Sequence, residues 1–206
     1  MSPRVNAQYR KKKQDAILQS AKKVFTDKGY HRATMQDILL EAGISRGALY
    51  SYFNNIEHVF EALLKQEDEE DLAYFSRSAL SSSKEQINDW VRRKEKSIAS
   101  ADNAFLLSKT EFFIHQSRAT GKERNPYITD RYEKLVNAIK DCIDKGIEQK
   151  EFCPVWPSKA IALYLVSFLD GLMLDTFNYG PDITKVNEQM TVFLDSLAKI
   201  LCPCKS

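Results

Sequence analysis

The side chains best suited to binding chemistry lie between residues 34 and 53, in the segment TMQDILLEAGISRGALYSYF. Thr34 and Ser45 each stand where a short helix could begin. At a helix N-terminus, a hydroxyl and the free backbone amides beside it suit a phosphate oxygen. Arg46 follows directly and could contact a base edge in a nucleic acid. The segment therefore has the chemistry of binding to a phosphate-rich partner.

Positive charge is concentrated at the same end of the chain. Residues 1–56 contain ten Lys or Arg against four Asp or Glu, whereas the whole chain has 30 against 28. This asymmetry indicates that the N-terminal third faces a polyanion. The cluster Arg10–Lys13, with Lys12 and Lys13 as candidate contacts, fits such a partner, although a solvated basic tail is an alternative.

Residues typical of an enzyme or a metal site are scarce. The three histidines are scattered, and the chain has no HExxH, no glycine-rich phosphate loop and no GxSxG elbow. The cysteines lack the paired CxxC spacing of a zinc site: Cys142, Cys153, Cys202 and Cys204. We therefore expect no enzyme, no cofactor and no metal, with a redox role for Cys202 or Cys204 as a minor alternative.

Helix signals predict how the polar segment is positioned. Apolar residues recur at three- and four-residue spacing from Lys12 to Lys28, and Gly29 ends that helix. Thr34 with Asp37 three residues later predicts a capping box, and Gly43 closes the short helix that they open. A second capped helix thus follows the first after a brief connection.

Ser45 is placed to cap a third helix, and Asn54 or Asn55 a fourth. The residues that could form the small core between the second and third helices are Ile38, Leu39, Ala42, Ile44 and Leu49. The residues left for the outer side are Arg46, Gly47, Tyr50 and Tyr52.

Two short helices around a tight turn form a helix-turn-helix, which lays its second helix in the major groove of DNA. Gly47 lowers helix propensity by about 1 kcal/mol relative to Ala, so we infer a close approach to a phosphate or base.

The rest of the chain also has helical patterns, with no sustained alternation typical of a strand. Helices are predicted around residues 86–118, 127–149, 158–178 and 183–201. We predict an all-α protein in which residues 1–56 form the DNA-binding domain and residues 57–206 a helical bundle; the serine-rich stretch 76–83 is another candidate break. No run approaches the roughly 18 to 20 uncharged apolar residues that cross a bilayer, so we expect a cytoplasmic protein without a membrane partner.

The helix at 158–178 is apolar on every side, and such a helix needs cover all round. The next helix carries an apolar stripe, so two such pairs from two copies could form a four-helix interface. The predicted interface residues are Ile161, Leu165, Phe168, Leu169, Leu172, Met190, Phe193 and Leu197. A central core helix of a monomer is the alternative.

Residues 12–64 resemble the DNA-binding domain of the tetracycline-repressor (TetR/AcrR) family. The matching residues are Phe25, Gly29, Tyr30, Thr34, Gly43, Ser45, Gly47, Leu49, Tyr50, Tyr52 and Phe53. The resemblance implies backbone contacts from Thr34, Ser45, Tyr50 and Tyr52, and base-facing positions for Arg46, Gly47 and Ala48. One position departs from the family: Ile56 stands where a Lys is common, so the basic cluster Arg10–Lys13 would have to supply that phosphate contact.

The resemblance also implies an all-helical homodimer with a ligand-binding C-terminal domain. Such a protein is a sequence-specific transcriptional regulator, and we expect a repressor that a small-molecule effector releases from a palindromic operator. Candidate pocket residues, each of which also fits a plain core, are Trp90, Phe105, Phe112, Phe113, His115 and Phe168. An effector-independent nucleoid-associated DNA binder and a helical ligand-binding adaptor remain as alternatives.

Overall fold

The computed structural model describes residues 7–76, 82–100, 104–119 and 126–201 of the 206-residue chain. These residues form ten α-helices, and no strand occurs among them. The helices are α1 (Ala7–Lys28), α2 (Met35–Ala42), α3 (Arg46–Tyr50), α4 (Ile56–Ser76), α5 (Ser83–Ala99), α6 (Ala104–Ala119), α7 (Pro126–Glu148), α8 (Ser158–Tyr179), α9 (Pro181–Thr184) and α10 (Val186–Leu201). The predicted all-α class is confirmed.

Several predicted helices differ at their ends. α1 begins at Ala7, five residues before the predicted start at Lys12. The pattern over 86–118 divides into α5 and α6, and the pattern over 183–201 divides at Lys185, which has a positive φ of 51°. Cys202 and Cys204 lie outside the described residues.

The chain forms two compact units, and the division between them falls within α4, between Glu67 and Asp68. The first unit contains α1 to α3, the start of α4 and also α6; the second contains the end of α4, α5 and α7 to α10. This division differs from the predicted boundary at residue 56, because the start of α4 and the distant α6 both pack with the N-terminal helices. The functional division into a DNA-binding and a ligand-binding domain stays a prediction.

The first unit is built around an aromatic cluster. The rings of Phe25 and Phe60 meet edge to face at 4.8 Å, and Phe112 of α6 packs on Phe60 at 4.7 Å. Tyr30, which follows α1, contacts all three rings. The Ser108 hydroxyl donates a buried 2.7 Å hydrogen bond to the carbonyl of Phe25. This bond joins α6 to the end of α1.

The second unit has its own apolar core, formed by α5, α7, α8 and α10. The N-terminus of α5 is held by Glu151, whose carboxylate accepts hydrogen bonds from the Ser82 hydroxyl and the backbone amides of Ser83 and Lys84. Burial opposes the charge on Glu151, but these hydrogen bonds outweigh it, and the pKa of this carboxyl lies below its ordinary value.

α8 is the most apolar helix, with a mean hydropathy of 1.6 over an 18-residue window. By length and composition it could cross a bilayer, a test that core helices of soluble proteins also pass. In this structure Ile161, Leu165 and Leu172 of α8 are buried in the core of the second unit.

Candidate nucleic-acid interface

The entrance to α2 is a complete capping box, as predicted. The Thr34 hydroxyl accepts from the Asp37 amide at 3.2 Å, and the Asp37 carboxylate accepts from the Thr34 amide at 3.0 Å. The Thr34 hydroxyl also donates to this carboxylate at 2.8 Å, and Lys28 forms an ion pair with it at 2.7 Å. These hydrogen bonds, that of Lys28 first, lower the pKa of Asp37. The acid is therefore ionised and neutralised by Lys28, so it does not leave an unpaired negative charge beside the predicted DNA surface.

The turn and the entrance to α3 also follow the predicted local signals. Gly43 has the left-handed conformation of a helix end, with φ of 61°. Ser45 caps α3, because its hydroxyl accepts from the Ala48 amide at 3.2 Å. Ile38 and Leu49 are fully buried, and they fix α3 on the rest of the first unit.

This small core differs from the prediction in two ways. Three of its five predicted members, Leu39, Ala42 and Ile44, are only half-buried. Phe53 is fully buried, although the pattern analysis did not assign it to the core. Phe53 follows the exposed Tyr50 and Ser51 and the half-buried Tyr52, so helical spacing does not show that it is buried.

The predicted outer residues lie together on the exposed side of α3. Arg46, Gly47 and Tyr50 are exposed, Ala48 and Tyr52 are half-buried, and the Arg46 guanidinium lies 5.4 Å from the centre of the Tyr50 ring. A Cβ added at Gly47 would meet no atom within 4 Å. The packing of the protein therefore does not require glycine here, which supports the inference that a partner approaches this residue. The DNA contacts of these residues stay predictions.

The basic cluster Arg10–Lys13 is not a tail, because it occupies the first turns of α1. Lys12 and Lys13 are exposed, and the Arg10 guanidinium lies 5.6 Å from the centre of the Tyr52 ring and 3.4 Å from the Ser51 carbonyl oxygen. Helix α1 thus carries positive charge to the end of α3.

Ile56, the predicted departure from the family pattern, is the first residue of α4 and is half-buried. The side-chain oxygen of the preceding Asn55 accepts from the His58 amide at 2.8 Å, so Asn55 is the cap of α4, one of the two predicted candidates.

The six candidate pocket residues do not lie in one unit. Phe105, Phe112, Phe113 and His115 lie on α6 of the first unit, where Phe105 and Phe112 belong to the buried aromatic cluster. Trp90 and Phe168 lie in the second unit; the Trp90 indole donates to Asp71 at 3.0 Å, and Phe168 stacks on Phe193 at 4.1 Å. Ligand contact by any of the six stays a prediction.

The predicted dimer residues require a correction. All but Phe168 are buried in the core of the second unit: Ile161, Leu165, Leu169, Leu172, Met190, Phe193 and Leu197. A side chain buried within one copy has no surface to offer to another. The pattern identified apolar faces of α8 and α10 correctly but assigned their inner sides to a partner.

Within the described residues, no group of three or more His, Cys, Asp or Glu could hold a metal ion. Cys142 is buried, and burial raises the pKa of its thiol to about 11, whereas Cys153 is exposed.

A capped helix-turn-helix with an exposed arginine, next to a basic helix, defines a helix-turn-helix DNA-binding protein. Comparison with known proteins gives the family. Residues 17–63 match the model of bacterial regulatory proteins of the tetR family, and residues 86–187 match the model of the tetracyclin repressor-like C-terminal domain. The chain therefore belongs to the TetR family of DNA-binding transcriptional regulators.

Known relatives are similar over most of this chain, and solved structures share its fold. The HTH-type transcriptional regulator YfiR of Bacillus subtilis (strain 168) is 29% identical over 96% of this chain and 97% of its own length. An HTH-type transcriptional repressor of Mycobacterium tuberculosis is 25% identical over 83% of this chain and 86% of its own. The solved GusR of Salmonella enterica superposes with a TM-score of 0.75 at 16% identity, covering 96% and 98% of the two chains. SmeT, solved as a complex with triclosan, gives a TM-score of 0.68 at 18% identity, with 91% and 90% covered.

Proposed function

We propose that this protein is a cytoplasmic homodimeric repressor that binds a palindromic operator through α3 and is released by a small-molecule effector. The observation that carries the proposal is the exposed face of α3, where Arg46, Gly47 and Tyr50 lie on a helix fixed by its cap and by buried Leu49. A rigid helix with an exposed guanidinium suits base recognition, because its position in the groove is set before binding.

The first test is selection of bound sites from a random DNA pool. A two-fold dimer places two copies of α3 about one or more helical turns apart, so the selected sequences should be inverted repeats with that spacing. Pools that stay random after selection, with binding that salt alone controls, would favour an effector-independent nucleoid-associated protein. Absence of any duplex binding at low salt would favour a ligand-binding adaptor.

The second test separates specificity from affinity. Changing Arg46 to Ala should reduce discrimination at one base pair of each half-site by about 1–3 kcal/mol, because a good side-chain contact to a base edge carries that much. Arg92→Ala is the matched control, since Arg92 is an exposed arginine on α5 of the second unit. Fluorescence anisotropy with the selected site and with single-base variants of it measures the affinity and the specificity of each protein. A uniform loss of affinity on all duplexes would show that Arg46 contacts only phosphate.

Two copies would meet through the outer sides of α8 and α10. Tyr164 and Leu174 of α8 and Val192 of α10 are large apolar residues with 44%, 42% and 66% of their surface exposed. Tyr164 and Leu174 flank Ser167 and Gly171 on α8. These two small residues are also exposed and would let a second helix approach closely. An exposed apolar face of this kind on a helix pair favours a four-helix interface between copies.

The effector is the least specified part of the proposal. Support comes from the family and from the solved complex of SmeT with triclosan. We place the site in the second unit, where Trp90 is a natural probe because the chain has only two tryptophans. In a Trp156→Phe variant all indole fluorescence comes from Trp90, so a compound that changes this signal binds near it. By linkage, a compound that weakens operator binding must itself bind more weakly when operator is present.

A further inference from the structure

The turn between α3 and α4 contains a reciprocal pair of hydrogen bonds in which a histidine takes the place of an acid. The Asn55 side chain accepts from the His58 amide at 2.8 Å, and the Asn54 amide donates to Nδ1 of the His58 ring at 3.3 Å. In an ordinary capping box the residue three places after the cap is Glu or Gln, whose oxygen accepts from the backbone before the helix. Here an imidazole nitrogen accepts instead, from the amide one residue earlier.

The His58 ring also contacts the buried anchor of the turn. It meets the Phe53 ring edge to face, with the ring centres 5.4 Å apart. Phe53 is fully buried and directly follows the half-buried Tyr52, just after α3. The imidazole therefore links the buried Phe53 ring to the first turn of α4.

This arrangement depends on the protonation state of the ring. An imidazole nitrogen accepts a hydrogen bond only when it carries no proton, so His58 must be neutral with its hydrogen on Nε2. A protonated ring has two N–H donors, and its Nδ1 would face the N–H of Asn54. It would also place positive charge in the first turn of α4, at the end of the helix that repels cations.

We propose that His58 is a positioning residue for DNA recognition and that its neutral form holds the turn that fixes α3, so acid weakens operator binding through this ring. The inference rests on the proposed contact of α3 with DNA. It assigns pH sensitivity to one imidazole, a property that the helix-turn-helix pattern does not imply.

Charged and polar groups near this turn lie on three elements. On α4 itself Glu57 and Glu61 lie on the side of Tyr30, where burial and then these two carboxylates raise the pKa of the phenol to about 12. From α6, the Gln116 amide donates to Glu57. From α1, Arg10 lies against Tyr52 and the Ser51 carbonyl. All of these groups are unchanged in the variants below, so a difference between variants reports on residue 58.

The test compares His58→Gln and His58→Leu with the wild-type full-length chain. Gln restores the usual capping-box acceptor at every pH, whereas Leu removes the acceptor at every pH. Between pH 8 and pH 6 the wild type should lose operator affinity relative to His58→Gln, because the Gln side chain cannot take up a proton. We expect a loss of about fivefold, the change in an equilibrium constant that a lost helix cap typically produces. His58→Leu should bind weakly at both pH values.

The second measurement needs no DNA. Two-bond proton–nitrogen correlation spectra of ¹⁵N-histidine-labelled protein give the tautomer of each ring, and His58 should be in the Nε2–H form at pH 8. The Nδ1–H tautomer, or parallel pH profiles for wild type and His58→Gln, would overturn the proposal. If His58→Leu fails to fold, the Gln variant and the spectrum still decide the matter. If no operator can be selected although His58 has the expected tautomer, the proposed DNA contact of α3 has failed and not the role of His58.

Discussion

At the scale of single residues, the hydroxyls predicted to hold phosphate are first of all helix caps. Thr34 uses its hydroxyl hydrogen and its amide on Asp37, so both donors are engaged within the protein. Ser45 differs, because its oxygen accepts from Ala48 and its hydroxyl hydrogen remains to be directed outward. We therefore expect Ser45 to contribute more to phosphate binding than Thr34, and Thr34 more to the stability of α2.

Ile56 gives a prediction about affinity. Replacing it with Lys would place a charge at the first residue of α4, the position where the family resemblance implies one, and should strengthen binding to every duplex. One more neutralised phosphate should steepen the dependence of log K on log salt by about 0.9. Anisotropy titrations over a salt series measure this slope.

The control for that variant is Val155→Lys, which adds the same charge at a side chain that is 89% exposed in the second unit. It should leave the slope unchanged. Equal slopes for Ile56→Lys and wild type would mean that the start of α4 does not contact the backbone of DNA.

At the scale of elements, features fixed by neighbouring residues could be predicted from sequence, and features fixed by distant residues could not. The caps at Thr34, Ser45 and Asn55 and the turn at Gly43 involve residues three or four apart, and all could be predicted from sequence. The position of α6 could not be predicted, because the groups that fix it are far apart in the chain. Ser108 bonds to a carbonyl 83 residues earlier.

The spacing of apolar residues in α6 does not match the side of the helix that is buried. Leu107 and Ile114 are exposed although they are apolar, while Ser108 and Gln116 are buried although they are polar. A count of apolar spacing therefore does not show which face of α6 is inside. The apolar faces of α8 and α10 are ambiguous in the same way, because burial within one chain and burial against a partner need the same residue types.

Gly146 in α7 provides a test of packing at this scale. A Cβ there would lie 2.3 Å from the Phe152 ring and 3.0 Å from Cβ of Ser83, so Gly146→Ala should lower the free energy of unfolding by about 1–3 kcal/mol, as overpacking does. This outcome is opposite to helix propensity, which favours Ala over Gly by about 1 kcal/mol. Urea unfolding followed by circular dichroism measures the difference.

Gly47→Ala is the matched helical control, because nothing lies within 4 Å of the added Cβ. It should leave stability unchanged or raise it. A gain in stability for Gly146→Ala would show that the turn carrying Phe152 moves aside without cost.

At the scale of the whole molecule, the proposed function requires that two recognition helices be held at a fixed spacing, and a single copy cannot provide this. The exposed apolar face of α8 and α10 is the part of the described surface that we assign to the second copy. Replacing Leu174 with Glu places a charge at that face, and burying an unpaired charge in an interface is strongly unfavourable. The variant should therefore be a monomer at micromolar concentration, which light scattering coupled to size exclusion measures.

Leu40→Glu is the control for this variant, because Leu40 is a leucine with 68% of its surface exposed on α2 of the first unit. It should keep the mass of the dimer. The monomeric Leu174→Glu protein should still bind DNA through one copy of α3, but it should lose the preference for an inverted repeat over a single half-site, because that preference comes from two helices binding at once. A dimer that survives Leu174→Glu would place the interface elsewhere, and a monomer that still prefers the repeat would show that the two copies assemble on DNA without this face.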